Sequence, residues 1–135
     1  MTAKDLMVGD LLRVNSAALL NGTIVKVIAI DGDNSHAGHI GSASCRPLDD
    51  RHIAGGIWCD HLDPIPLTPE ILEKNGFKDG QFFAELLYGE WQIMCDCSHI
   101  AMRHEGGWLM DIPCKYVHEL QHCLKLVGID KEIVL

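Results

Sequence analysis

The chain lacks most of the signatures that assign a function quickly, and each absence removes a class. The longest apolar runs, such as 23–30, are far too short to span a bilayer, which argues against a membrane-spanning helix. The opening MTAKDLMVGD holds a Lys and two Asp but no apolar core of a secretory signal, so a cytoplasmic location is expected. Basic residues are few: eleven Lys and Arg against nineteen Asp and Glu give a formal charge of -8. The eleven are scattered, and phosphate binding needs them clustered, so no nucleic-acid partner is expected. There is no G-x-S-x-G elbow, no GxxxxGK[ST] loop and no G-x-G-x-x-G, which removes the common hydrolase, P-loop and dinucleotide-binding readings.

Paired C-x-x-C knuckles are missing too, although six cysteines are present. Without an export signal, reduced thiols are the default. Cys95-Asp96-Cys97, followed by His99, His104 and Cys114, is the nearest approach to a structural zinc site. The competing reading puts Cys95 and Cys97 on one buried face of a strand, where thiols behave as small hydrophobes and stay unbridged.

What remains is a globular composition, 47% apolar and 22% charged over 135 residues, enough for one compact domain or two small lobes. The patterning changes at Pro64-Ile65-Pro66-Leu67 and predicts an α+β chain with lobes at 1–63 and 64–135. In the first lobe, Asn21-Gly22 between two apolar runs predicts a β-hairpin over 11–30. Residues 31–44 read as a long exposed loop rich in Gly and Ser; its Asp31-Gly32-Asp33-Asn34 lacks the glycine and glutamate that a calcium loop needs. Short strands around Ile57, Trp58 and Leu62 complete a small SH3-like β-barrel or curled sheet.

In the second lobe, Thr68 as N-cap, Pro69 at the first helical position and a stop at Asn75-Gly76 predict a two-turn helix over 69–75. An antiparallel meander is expected over 80–112, a main helix over 116–127 closed by Gly128, and one last edge strand at 131–135. Trp58, Trp91 and Trp108 are expected as packing residues.

The most pointed motif is Val-His-Glu-Leu-Gln-His at 117–122, an H-E-x-x-H. On a helix His118 and His122 would face one zinc ion, with Glu119 as general base. At about 100° per residue, Val117, Leu120, Cys123, Leu124 and Val127 form one apolar stripe and His118, His122 and Lys125 lie opposite, on an expected solvated face. The extended pattern of zinc peptidases fails, since Lys125 and Gly128 stand where a glycine and a third histidine would be. Only thirteen residues follow His122, with Asp130 and Glu132 the sole acids among them. Of the upstream candidates for a third ligand, His61, His99 and His104, the sequence selects none.

Three stretches, DLMVGD, PIPLTPEILEKNGF and YVHELQ, resemble a family of short uncharacterised proteins encoded in prophages and mobile elements of gut bacteria. The resemblance covers the two ends and the central linker. It implies that the position of Glu119 can be Gln and that of His122 Asn, so that H-E-x-x-H completes by chance on a structural helix. The combined expectation is a non-enzymatic, prophage-associated accessory protein that binds an unknown protein partner, needs no cofactor, and uses loop 31–44 as its contact surface. The alternative is a small zinc metallopeptidase on His118, His122 and Glu119.

Overall fold

A computed structural model describes residues 1–16, 21–31, 35–36, 39–49, 55–80 and 82–135. The chain is α+β and divides into two compact units, Met1–Ile65 and Pro66–Leu135.

The first unit holds β1 (Leu11–Val14), β2 (Ile24–Ile30), β3 (Ser35–His36), β4 (His39–Ile40), β5 (Ser42–Pro47), β6 (Gly55–Trp58) and β7 (Leu62–Pro64). Five of these form an antiparallel sheet in the order β6-β5-β2-β1-β7. Among the described residues the sheet is open, with β6 and β7 at its edges, so of the barrel or curled sheet expected here no closed barrel is seen. Strand β7 runs into Pro64 and then Pro66, which have no N–H to give a further strand, as suits an edge. Leu12, Val14, Val25, Val27, Ala43, Cys45, Cys59 and Leu62 make the core, with Ala3 and Leu6 from the start of the chain.

The DLMVGD stretch is a folding device. Asp10 is buried and its Oδ2 accepts the Met7 N–H at 2.8 Å, while Gly9, at φ 100°, donates to the Val27 carbonyl at 2.7 Å. Strands β1 and β2 pair as antiparallel neighbours, with Arg13 opposite Ile24, yet Asn21-Gly22 is not a two-residue hairpin turn. Strand β1 stops at Val14, Gly22 reaches back to the Val14 carbonyl at 2.7 Å, and Ser16 N donates to Asn21 Oδ1 at 3.2 Å. Residues 17–20 lie outside the described residues. The expected open loop at 31–44 instead carries the β3–β4 ladder and the start of β5; residues 32–34 and 37–38 lie outside the described residues.

The second unit begins with α1 (Pro69–Lys74), followed by β8 (Lys78–Asp79), β9 (Ala84–Tyr88), β10 (Trp91–Cys95), β11 (His99–His104), β12 (Gly107–Pro113) and α2 (Val117–Leu126). Thr68 Oγ1 caps α1 by accepting the Ile71 N–H at 3.2 Å, and Gly76 ends it at φ 88°. The five strands are the anticipated meander, in the order β12-β11-β10-β9-β8. Register gives its faces: Leu86, Ile93 and Met102 are cross-strand neighbours and buried, as are Cys95 and Ile100. Glu85, Met94, Ala101 and Asp111 form a row on the opposite, outer face.

The end of the chain is not the expected edge strand. Asn75, 3% exposed, takes that role with its side chain: Nδ2 donates to the Val134 carbonyl and Oδ1 accepts the Val134 N–H, both at 2.7 Å. A primary amide offers the same donor and acceptor pair as a strand residue.

Candidate functional site

In α2 the glutamate of H-E-x-x-H is engaged by the backbone. Tyr116 is the N-cap, and Glu119 Oε1 accepts the N–H groups of Lys115 at 3.0 Å and Tyr116 at 3.1 Å. The first N–H groups of a helix have no partner within it, so an acceptor at the third helical position both satisfies them and places negative charge at the positive helix end. That geometry spends the carboxylate on folding.

His118 departs from the sequence reading. It is 7% exposed, so the expected solvated face does not exist at this position. Its ring stacks on Tyr116, with centroids 6.0 Å apart and planes at 18°, and meets His122 edge-on at 5.5 Å. Helical angle placed His118 opposite the apolar stripe, yet it is buried there, with the rings of Tyr116 and His122 beside it. Among the described residues, no third His, Cys, Asp or Glu atom joins His118 and His122 in a compact ligand cluster. Of the upstream candidates, His61 belongs to the first unit beside Asp60, His99 is exposed at the start of β11, and His104 sits at the far end of β11.

At that far end Glu90, His104 and Glu105 bring three ligand atoms within 4.8 Å of one another, with His104 Nε2 at 3.6 Å from Glu90 Oε2. The Trp91 ring lies 4.7 Å from that of His104. Both glutamates are exposed, and the pairing of imidazole with carboxylate and indole accounts for the contact without an ion.

Of the residues in the Cys95–Cys114 zinc reading, Cys95 and Cys114 meet, and among the described residues Cys97, His99 and His104 do not join them in a compact ligand cluster. Strand β10 ends at Cys95, and Cys97 follows in a turn at φ 67°, partly exposed, so the two thiols do not share a strand face. Cys95 instead accepts the Cys97 N–H and meets Cys114, which also contacts Cys123 of α2. All six cysteines are free. Cys114 is buried and its thiol lies in hydrogen-bonding contact with Cys123 and Cys95, which together hold it far above the ordinary range, while the same contact lowers Cys95 and Cys123. Burial pushes Cys45 up to about 12. Cys95, Cys114 and Cys123 are packed thiols that link α2 to the sheet of the second unit.

The feature with no folding explanation lies elsewhere, at the β8–β9 connection. Phe82 is 80% exposed and Phe83 40%. Gly80 N donates to the Phe83 carbonyl at 2.9 Å, and a Cβ on Gly80 would stand 2.5 Å from that oxygen, so the turn presenting the rings requires glycine. Two grooves flank the pair. One, of about 270 Å³, runs toward α1 and includes Leu72 and Phe77 with Glu73, Asp79 and Asp96. The other, of about 290 Å³, lies over the outer sheet face and includes Met94, Ala101, His99, Asp96 and Asp111.

Asp96 belongs to both grooves and is held in place. Its Oδ1 accepts the His99 N–H at 2.7 Å and the Ser98 N–H at 2.9 Å, which keeps its carboxyl below the usual carboxylate range. Sequence reading placed this segment in the meander but not its exposure. The available signal was the position of the pair, just after Asp79-Gly80, where a turn between strands puts side chains at the surface.

No protein-family model, curated protein or solved structure matches the chain.

Proposed function

We propose that this chain is a non-enzymatic, cytoplasmic accessory protein of prophage type that acts by binding another protein, and that the contact centres on Phe82 and Phe83. The observation that carries this reading is the outward presentation of two neighbouring aromatic rings beside two open grooves. Water contact with a phenylalanine is unfavourable, and burying such a side chain returns about 1.5–3 kcal/mol. Aromatic anchors seated in pockets dominate protein interfaces. The catalytic alternative has less support, because Glu119 caps its own helix and His118 is buried beside the rings of Tyr116 and His122. The three stretches behind the prophage resemblance also hold caps and turns built on Asp10, Thr68 and Glu119.

The test compares partner binding by the unaltered protein, Phe82→Ala and Leu126→Ala. Leu126 is 74% exposed on α2 and serves as a control for loss of surface apolar area. A partner captured from bacterial cytosol is purified and its Kd measured directly. Phe82→Ala is expected to weaken binding about tenfold or more, one anchor's worth of free energy, with Leu126→Ala within about twofold. Equal effects of the two substitutions would refute the placement.

A further inference from the structure

Taking the protein-binding reading as its basis, we infer that the occupant of the two grooves is an extended segment of a partner protein carrying Lys or Arg next to an apolar side chain. Size is the first argument. Grooves of about 270 and 290 Å³ fall just below the range of about 300–1,000 Å³ that houses whole small molecules, and each suits one or two side chains.

Charge is the second. Glu73, Asp79, Asp96 and Asp111 line the grooves, and among the described residues no Lys or Arg lines either one. None of the four carboxylates forms an ion pair among the described residues. Carboxylates gathered around apolar surface make the grooves negative, with His99 the sole basic side chain among the lining residues, and a cation arriving with an apolar neighbour complements that charge while covering the rings. Asp96 sits between the two grooves in a fixed orientation, so ordering it costs little on binding.

Ring chemistry is the third. The faces of Phe82 and Phe83 attract a guanidinium or ammonium group, and the methylene stem of Arg or Lys packs on apolar walls while its head reaches a carboxylate. The net charge of -8 adds long-range attraction for such a segment.

Selection of a random peptide library displayed on phage against the full chain tests this directly, whatever the natural partner. Enriched peptides are synthesised and their Kd measured by fluorescence anisotropy against the unaltered protein, Phe82→Ala and the double variant Asp79→Asn, Asp111→Asn. All three substituted side chains are exposed, so the variants should keep the parental circular dichroism. The expected result is enrichment of Lys or Arg beside an apolar residue, about tenfold weaker binding to each variant, and affinity that falls as salt rises from about 50 to about 300 mM. Peptides that need Phe82 but carry no basic residue would overturn the cationic occupant and leave the protein-binding reading standing. Peptides indifferent to Phe82, or no enrichment at all, would overturn both.

Discussion

Replacing Glu119 with Ala and with Gln separates the two roles that an H-E-x-x-H glutamate can have. Oε1 of Glu119 accepts two backbone N–H groups, from Lys115 at 3.0 Å and Tyr116 at 3.1 Å. Alanine leaves both N–H groups without this acceptor. Lys115 is exposed and water can replace the lost bond there, so most of the cost falls on the half-buried Tyr116 N–H. Loss of a helix N-terminal cap costs about 0.5–2 kcal/mol, and we expect about 1–1.5 for Glu119→Ala. Glutamine keeps an oxygen at the same reach and gives up only the interaction of charge with the helix end, about 0.3–1 kcal/mol. Urea unfolding followed by far-ultraviolet circular dichroism measures both. The expected order of midpoints is unaltered protein, then Glu119→Gln, then Glu119→Ala, with one slope for all three. If Glu119→Ala unfolds at the parental midpoint, or if Glu119→Gln costs as much as Glu119→Ala, the capping role is wrong.

Three further outcomes follow from other contacts. Asn75→Ala removes two hydrogen bonds to Val134 and one to the Ile71 carbonyl, and should cost about 2–4 kcal/mol with loss of hydrogen-exchange protection at Val134; unchanged exchange there would refute the strand-like role of the amide. Asp96 has a lowered folded pKa, so its stabilisation relative to Asp96→Asn is present above the unfolded carboxylate value and is lost as pH falls through the folded one. The gap between their urea midpoints should therefore hold from about pH 8 to 5 and close below about pH 4, and a gap as wide at pH 3 as at pH 7 would contradict it. Cys97 is the sole cysteine of the six that is not buried, and burial together with the neighbouring Cys95 and Asp96 raises its pKa. Iodoacetamide at pH 8 should label Cys97 first, though more slowly than a free cysteine peptide, and equally fast labelling of Cys114 on peptide mapping would count against the packed-thiol assignment.

The sequence alone determined the elements whose causes lie within a few residues. Thr68-Pro69 with Gly76 bounds α1, the apolar stripe with Gly128 bounds α2, and turn glycines punctuate the meander. Caps, turns and periodicity act between near neighbours, so they can be read along the chain. Tertiary structure decided whatever depends on residues far apart in sequence. The order β6-β5-β2-β1-β7 sets which strands are edges, because Leu12 pairs with Pro64, a partner no spacing rule names. The side chain of Asn75 takes the place of a last strand for the same reason. His118 and the Phe82–Phe83 pair show the limit of periodicity in opposite directions. Periodicity tells which side chains share a face, whereas packing decides which face is covered: it enclosed a histidine set opposite the apolar stripe and left two phenylalanines in water.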